Sequence, residues 1–341
     1  MGSLKIYTTD HIRSLTNIRD GETKLGERVQ VVRDLDALAL TNSKFVLLGL
    51  PEDVGVQANF GITGTRTVWD DTLRALLNIQ STEKLRGDEI IMLGHIDFSD
   101  EIGRARTLNI RKEADLNVLR NMVRDIDADV TSVVKAIFAA GRIPLVVGGG
   151  HNNAYPILKA FSESFSKAVN TINIDAHSDF RALEGRHSGN GFSYAFNDGL
   201  LDRYAMIGLH ENYNSQAIIE QFRAGPEHFQ FTFFDDFIRE NNSHSRAFQN
   251  ALNFTEGLCG LEIDLDSIAG TLSSATSPSG FSLEQVRDMI AQTTRRQLFY
   301  LHIAEGASRL DDGRESVFAG KSIAYLLSDF MKAQYRSKII D

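Results

Sequence analysis

Short apolar runs alternate along the chain with longer stretches in which apolar residues recur at helical spacing. The short runs predict β-strands over residues 44–51, 89–95, 143–150, 168–177, 203–210, 229–235, 257–266 and 298–306. Their apolar character is nearly continuous rather than alternating, which is typical of strands in a sheet that is covered on both faces.

The longer stretches predict helices. The longest begins near Glu113 and ends at Gly141, a residue type that commonly stops a helix. Further helices are predicted over residues 153–166, 214–223, 243–253, 282–295 and 319–335. Because strands and helices alternate, we expect right-handed crossovers and an α/β fold with a mostly parallel sheet.

The first 40 residues are polar and weakly patterned. We expect residues 1–40 to form an N-terminal extension with some helix around residues 29–38. The rest of the chain contains no internal repeat and no low-complexity tract, and the whole chain has only 5 prolines. Residues 41–341 are therefore predicted to form one large domain.

The composition is that of a soluble globular protein, with 42% apolar and 24% charged residues. A formal net charge of −9 argues against a nucleic-acid partner and gives no reason to expect binding to anionic lipid. The single cysteine, Cys259, lies in an apolar run and is predicted to be a small buried residue. No apolar stretch approaches the roughly 20 residues of a membrane span. The first residues lack the apolar core of a signal peptide, so a cytoplasmic location is expected.

Side chains that can bind metal follow four of the predicted strands. In open α/β sheets, ligands bind beyond the carboxyl ends of the strands, so these residues are candidates for one common site. They are His151, Asp175, His177, Asp179, Asp264, Asp266 and Glu305.

Two histidines and four aspartates of this set predict a binuclear metal centre. Asp175, His177 and Asp179 alternate, so they face one side if the strand geometry persists, and the same holds for Asp264 and Asp266. Carboxylates gathered without a cation would repel one another. Six ligands suit two ions about 3.5–4 Å apart, and oxygen-rich ligands with two imidazoles favour manganese over zinc. A lone Asp-x-Asp usually belongs to a loop or helix cap, so the prediction depends on the whole set.

Four motifs, GGGHNNAYP, NIDAHSDFR, SGNGFSYA and LEIDLDSI, together resemble the arginase–agmatinase–formimidoylglutamase (ureohydrolase) family over residues 44–335. The resemblance implies a three-layer α/β/α fold with a mostly parallel sheet of about eight strands. It also implies a homo-oligomer and a small-molecule substrate. Two Mn²⁺ ions per subunit would be bound by His151, Asp175, His177, Asp179, Asp264 and Asp266. Glu305, in HIAEG, would hold the amidino or imino nitrogen of the substrate.

Two positions favour formimidoylglutamase within this family. Gly150 stands before the first metal histidine, where arginases have aspartate, and Arg181 completes DAHxDxR, where arginases have asparagine. N-formimidoyl-L-glutamate carries two carboxylates, and the planar guanidinium of arginine binds a carboxylate through two hydrogen bonds. The alternative for Arg181 is an ion pair with a nearby acidic residue.

Other positions do not agree on whether the chain is closer to formimidoylglutamases or to arginases. The SGN of residues 188–190 matches arginases and departs from the SGT of formimidoylglutamases, and it makes Ser188 and Asn190 candidate substrate contacts. His187 is either a proton shuttle or a histidine of a surface loop. Asn59 is expected to approach the active site. Glu211, Asn212 and Tyr213 stand where arginase-like chains place aspartates.

The expected reaction is hydrolysis of N-formimidoyl-L-glutamate to L-glutamate and formamide, by a hydroxide that bridges the two ions. Asp179 or a nearby ligand carboxylate is expected to relay the proton to the leaving amine. The main alternative is an arginase or another guanidino hydrolase, such as an agmatinase or guanidinobutyrase, that releases urea. A binding protein without activity and a deacetylase-like zinc enzyme are the alternatives from other classes.

Overall fold

A central sheet organises the fold. The computed structural model describes residues 2–239 and 243–336. Its strands are β1 Ser3–Ile6, β2 Phe45–Gly49, β3 Ile90–Asp97, β4 Ile143–Val147, β5 Val169–Ile174, β6 Leu201–Leu209, β7 Phe229–Phe233, β8 Cys259–Asp264 and β9 Leu301–Ala304. They form one nine-stranded sheet in the order β1-β3-β2-β4-β9-β8-β5-β6-β7. The prediction of a mostly parallel sheet is confirmed, and each predicted strand is present.

The ninth strand was not predicted. β1 lies within the stretch that we expected to be an extension, yet it pairs antiparallel with β3 at the sheet edge, with Leu4 opposite Ile96. The helix predicted around residues 29–38 is also wrong, because this stretch contains only the start of a 3-10 helix, Asp36–Leu40. Its apolar residues pack against the rest of the fold without a continuous helix, as the buried Leu38 shows.

Helices cover both faces of the sheet. They are α1 Thr9–Ser14, α2 Val54–Ala58, α3 Val68–Leu77, α4 Ser99–Ala105, α5 Glu113–Ala139, α6 Ala154–Phe165, α7 Gly191–Asn197, α8 Gln216–Ala224, α9 Phe234–Arg239, α10 His244–Phe254, α11 Leu283–Ala291 and α12 Ala319–Arg336. The predicted helices correspond to α5, α6, α8, α10, α11 and α12. The helices that were not predicted are α1, α2, α4, α7 and α9, of five to seven residues each, and the ten-residue α3. A helix of five to seven residues has too few turns to show a helical apolar pattern. Within the described residues, no helix is both long and apolar enough to cross a membrane.

The two faces of the sheet have separate hydrophobic cores. In β2, Phe45 and Leu47 belong to the core that also contains residues of α3, α10, α11 and α12. The alternating residues Val46 and Leu48 belong to the core on the other face, which includes residues of α5 and α6. Because both faces are buried, β2 is apolar at successive positions. This three-layer arrangement leaves the ends of the strands as the accessible edge of the sheet.

Candidate metal centre

Four adjacent strands deliver the predicted metal ligands to one edge of the sheet. β4, β9, β8 and β5 are neighbours in that order. The chain after β4 carries His151, and the chain after β9 carries Glu305. The remaining aspartates and His177 lie at or just beyond the ends of β5 and β8. The convergence is therefore a consequence of strand order, since parallel strands place their carboxyl ends at the same edge.

The first group of ligands surrounds the Nδ1 atom of His151. This atom lies 2.9 Å from Oδ2 of Asp179, 3.2 Å from Oδ2 of Asp264 and 3.3 Å from Oδ2 of Asp175. One ring nitrogen carries at most one hydrogen, so it cannot satisfy three carboxylates. Within the described residues, neither ring nitrogen of this buried histidine makes a well-directed hydrogen bond. Such crowding of acceptors is the arrangement expected around a cation.

The second group shares a residue with the first. The Nδ1 atom of His177 lies 3.0 Å from Oδ2 of Asp266 and 3.7 Å from Oδ1 of Asp175. Asp175 thus offers Oδ2 to the first group and Oδ1 to the second. A carboxylate in this position suits a bridge between two ions.

Tight turns, rather than strand alternation, aim these side chains. β5 ends at Ile174, so the extended geometry that we expected for the following residues does not persist. Instead, Oδ1 of Asp175 accepts a hydrogen bond from the backbone N–H of His177 at 2.7 Å. Asp264 accepts the corresponding bond from the N–H of Asp266 at 2.8 Å. The prediction that these residues converge holds, but the predicted mechanism of alignment was wrong.

The electrostatics also favour cations at this position. Burial, followed by the charges of Asp266 and Asp175, raises the pKa of Asp264 well above its usual value. Burial and the neighbouring Asp175 raise the pKa of Asp179 to about 6. Asp175 differs: burial opposes its ionisation, but hydrogen bonds and charge from His151 and His177 hold its pKa at about 2. Divalent cations would stabilise all of these carboxylates in the charged form, so the residues fit the predicted metal.

Glu305 stands next to the first group. Its Oε1 atom accepts a hydrogen bond from the backbone N–H of His151 at 2.9 Å. Burial is the main reason that its pKa is raised to about 8, and the charges of Asp179 and Asp266 add to the effect. Its backbone has φ of 62°, and Asp179 has φ of 45°, a region that non-glycine residues rarely adopt. Two such residues within one site indicate a backbone that the surrounding structure constrains.

A cavity of about 230 Å³ opens above the two groups. Its lining includes the candidate ligands His177, Asp179, Asp264 and Asp266 together with Glu305. It also includes Asn59, Arg181, Ser188 and Tyr213, which we call the outer wall because Arg181 and Tyr213 are about half exposed. The volume is suited to a small molecule rather than to a peptide.

Arg181 lies at the outer wall, and its side chain is 49% exposed. Its Nη1 atom donates a hydrogen bond to Oδ1 of Asn59 at 2.9 Å, and its Nη2 atom lies 3.0 Å from Oε1 of Glu184. The structure therefore contains the ion pair that was the alternative for this residue, yet it also places the guanidinium on the cavity wall. Asn59 approaches the cavity as expected.

The loop that contains His187 differs from the prediction. The imidazole of His187 is buried, so the surface-loop interpretation is wrong, but it does not line the cavity. Its Nε2 atom lies 3.2 Å from Oε1 of Glu184, and its Nδ1 atom accepts from the N–H of Gly189 at 3.1 Å. Ser188 reaches the cavity wall, where Asn59 donates a hydrogen bond to its Oγ atom at 3.2 Å.

Asn190 requires a correction as a substrate contact. Its side chain is fully buried, and Oδ1 accepts hydrogen bonds from Nη1 of Arg186 at 2.7 Å and from the N–H of His187 at 3.0 Å. Its Nδ2 atom donates to the carbonyl oxygens of Gly185 and Ala182. The structure thus uses this amide to hold the loop together and does not bring it to the cavity.

Two buried charged residues near the centre were not predicted. Glu262 in β8 and His302 in β9 lie side by side, with Oε2 and Nδ1 2.6 Å apart. Burial would raise the pKa of Glu262, but the charge and hydrogen bond of His302 and the nearness of His151 hold it at about 2. The available signal was a charged residue inside each of two almost continuous apolar runs, LEI and LHI, which indicates a paired buried charge.

Comparison with known proteins agrees with this geometry. The sequence model of the arginase family matches residues 43–328. The chain belongs to the arginase family. Among its members, the formimidoylglutamase of Hahella chejuensis is 28% identical over 266 residues, which is 74% of each chain. The formimidoylglutamase of Aromatoleum aromaticum is 27% identical over 188 residues, and this match spans 52% of the chain and only 51% of that relative.

The fold of the chain is also similar to that of a solved structure. Trypanosoma cruzi formiminoglutamase, determined with two Mn²⁺ ions, superposes with a TM-score of 0.70 at 18% identity. The superposition covers 92% of this chain and 98% of that protein. The three-layer fold expected from the sequence motifs is therefore confirmed.

Proposed function

We propose that the chain is a binuclear manganese hydrolase that converts N-formimidoyl-L-glutamate and water into L-glutamate and formamide. The observation that carries the proposal is the pair of ligand groups that share Asp175 and open into a cavity with Arg181 at its outer wall. The names of the relatives and the two Mn²⁺ ions of the T. cruzi protein support the same choice.

The residues suited to hold the ions divide into two sets. His151, Asp179 and Asp264 would hold one ion, His177 and Asp266 would hold the other, and Asp175 would bridge them. When bound, two divalent ions lower the pKa of water so that it reacts as hydroxide near neutral pH, and they stabilise developing negative charge.

Glu305 is placed to orient the reacting group. A formimidoyl group carries nitrogen donors, and the carboxylate of Glu305 lines the cavity beside the first ligand group. A cationic donor brought next to this buried carboxylate would lower its pKa from about 8 and stabilise its charged form. Glu305 would therefore hold the formimidoyl nitrogen in a fixed orientation, which favours attack at the adjacent carbon.

Asp179 is the residue that we propose to transfer the proton. Its carboxyl group lines the cavity beside the ligand groups. A carboxylate in this position can take up the proton that the attacking water gives up and carry it to the leaving group. Asp179 would pass a proton to the amine of glutamate as it leaves, which completes the balance of the hydrolysis.

Arg181 would determine which substrate is accepted. Its guanidinium stands on the outer wall, where the carboxylates of the glutamate moiety would lie once the formimidoyl end reaches Glu305. Ser188 on the same wall would add a hydrogen bond. A guanidino substrate is the second candidate, because Glu305 would hold an amidino nitrogen equally well and the SGN of residues 188–190 matches arginases.

A substrate panel tests the proposal. Purified protein is loaded with Mn²⁺, its metal content is measured, and it is incubated with N-formimidoyl-L-glutamate, arginine, agmatine and 4-guanidinobutyrate. We expect two ions per subunit and release of formamide from the first substrate. Asp266→Asn serves as the control for contaminating activity. Release of urea would establish the guanidino alternative, and loaded protein that hydrolyses none of the four would overturn the proposal. The expected homo-oligomer is tested on the same preparation by light scattering.

A further inference from the structure

A buried carboxylate stands behind the first metal ligand group. Glu262 belongs to β8 and is fully buried, as is His151. Its Oε2 atom lies 3.4 Å from Nε2 of His151, on the side of the ring opposite to the crowded Nδ1 atom. Among the described residues, Glu262 is the acidic residue that approaches this nitrogen. The imidazole thus lies between the candidate ion and a carboxylate.

Two neighbours fix the position of this carboxylate. Tyr300 donates its hydroxyl hydrogen to Oε1 of Glu262 at 2.8 Å, and the same hydroxyl lies 3.1 Å from Oγ1 of Thr171. His302 approaches Oε2 with Nδ1 at 2.6 Å, while its Nε2 atom lies 3.4 Å from the carbonyl oxygen of Gly148. Both nitrogens of the His302 ring thus face acceptor oxygens, and the shorter contact, at Nδ1, is the one to Glu262.

This assembly decides which nitrogen of His151 carries hydrogen. A neutral imidazole has one N–H and one lone pair, and only the lone pair can bind a metal ion. An acceptor at Nε2 places the hydrogen there and leaves the lone pair on Nδ1, which faces Asp175, Asp179 and Asp264. The ring of Phe192 packs edge-on against the His151 ring, with 5.1 Å between the ring centroids. The Glu262 carboxylate, 3.4 Å from Nε2, is therefore the group whose position favours this tautomer.

We propose that Glu262 is a positioning residue for the metal centre: held by His302 and Tyr300, it accepts the Nε2 hydrogen of His151 and orients Nδ1 toward the ion. This inference rests on the proposed function, because it requires that His151 bind metal. A third ion among His151, Glu262 and His302 is disfavoured, since the 2.6 Å separation of Oε2 and Nδ1 is that of a hydrogen bond.

The inference is tested by measuring Mn²⁺ binding rather than activity. In wild-type protein and Glu262→Gln, the affinity for each ion is measured by titration calorimetry, and the coupling of the two ions is followed by electron paramagnetic resonance. Loss of a hydrogen-bonded partner of a metal-binding histidine typically costs about 10- to 100-fold in affinity. We expect this loss for the ion held by His151 and a change of less than about threefold for the ion held by His177 and Asp266. At low Mn²⁺ concentration, the resonance spectrum of Glu262→Gln should be that of a single ion rather than that of two coupled ions.

Two further variants separate positioning from a purely structural role. Glu262→Asp keeps the charge but moves the carboxylate away from His151, so it should weaken binding of the same ion. Tyr300→Phe removes the bond to Oε1 and leaves the Oε2 side intact. It should weaken the ion held by His151 less than Glu262→Gln does, because His302 still holds the carboxylate, and it should lower the melting temperature of the metal-free protein. If Glu262→Gln fails to fold, His302→Asn replaces it, and weakening of the same ion is again expected.

Several outcomes would overturn the inference. Wild-type protein that binds two ions while Glu262→Gln binds both with unchanged affinity would remove Glu262 from the metal centre. An equal loss at both ions, together with a lower melting temperature of the metal-free variant, would make its role structural. Uptake of three ions would make Glu262 and His302 ligands themselves. A wild-type protein that binds no Mn²⁺ would instead contradict the proposed function, and the inference would fail with it.

Discussion

Nη2 of Arg181 lies 3.0 Å from Oε1 of Glu184 at the outer wall of the cavity. Both side chains are partly exposed, and ion pairs of this kind contribute about 0–1 kcal/mol. A carboxylate of the substrate can therefore replace Glu184 at small cost, since it offers the guanidinium the same kind of acceptor oxygens. The intramolecular pair holds the guanidinium on the cavity wall before the substrate arrives.

Arg181→Asn is expected to raise the KM for N-formimidoyl-L-glutamate about 10- to 100-fold, because charge-assisted hydrogen bonds contribute about 1.5–3 kcal/mol. The effect on kcat should be smaller, since Arg181 does not contact the reacting carbon in the proposed mode. Steady-state kinetics on Mn²⁺-loaded protein measures both constants. Arg86→Asn, which removes an exposed arginine paired with Asp88, is the matched control and should change neither. An unchanged KM in Arg181→Asn would remove this residue from substrate recognition.

Glu184→Gln should have the opposite effect. It removes the internal competitor for Arg181, so the KM should fall by up to about fivefold, the equivalent of 1 kcal/mol. The same kinetic assay measures the change, with Glu163→Gln, whose exposed carboxylate pairs with Lys135, as the control. If the two substitutions at the pair, Arg181→Asn and Glu184→Gln, change the KM in the same direction, the pair has a structural role instead.

The sequence predicted the strand ends and the convergence of the candidate ligands more reliably than the loops around them. Asp264 and Asp266 could be placed because polar residues after an apolar strand must lie at the accessible edge of a buried sheet. The burial of His187 could not be predicted, because it depends on a distant contact. Arg186, the preceding residue, pairs inside the protein with Asp127 of α5 at 2.9 Å. No local pattern around residue 186 indicates a partner 59 positions away.

The strand β1 could not be predicted for the same reason, because it depends on a contact with a distant part of the chain. Residues Ser3–Ile6 form a strand only because β3 offers a free edge, and the two are about 90 residues apart in the chain. A four-residue segment with alternating exposure has too little apolar content to signal a strand by itself. By contrast, the long α5 was predicted closely, since its 27 residues contain many turns of the helical apolar pattern.

Asn190 is expected to affect stability rather than substrate binding. Asn190→Ala leaves Nη1 of the buried Arg186 without its acceptor, which should lower the free energy of unfolding by about 1–3 kcal/mol. Urea unfolding measures this change. Asn197→Ala, at an exposed position in the same segment, is the control and should lower it by less than about 0.5 kcal/mol. A raised KM with unchanged stability in Asn190→Ala would support the substrate contact predicted from the SGN motif.

The low pKa of His187 predicts that the folded protein loses stability in acid. Burial, and then the charge of Arg181, lowers the pKa of His187 to about 4. The unfolded chain takes up this proton near pH 6.5, whereas the folded protein resists it until about pH 4. The unfolded state therefore binds more protons in this window, and stability falls as the pH decreases through it. The difference of roughly 2.5 in pKa corresponds to about 3 kcal/mol.

The measurement compares urea unfolding of metal-free protein at pH 7 and pH 4. Between these values, His187→Asn should lose about 3 kcal/mol less stability than the wild type, because asparagine takes up no proton. His11→Gln removes an exposed histidine and should follow the wild-type curve. Parallel curves for wild type and His187→Asn would show that His187 titrates alike in both states.

Removal of metal should separate the roles of Asp175 and Asp266. At free Mn²⁺ of 100 times the dissociation constant, each bound ion stabilises the folded state by about 2.7 kcal/mol, so chelation should lower the melting temperature by several degrees. Asp175 offers an oxygen to both ligand groups, whereas Asp266 belongs to one. Asp175→Asn should therefore abolish nearly all of the stabilisation by Mn²⁺, and Asp266→Asn should remove about half of it. Melting curves with Mn²⁺ and with EDTA measure the difference for each variant. Equal losses in the two variants would show that Asp175 does not bridge two ions.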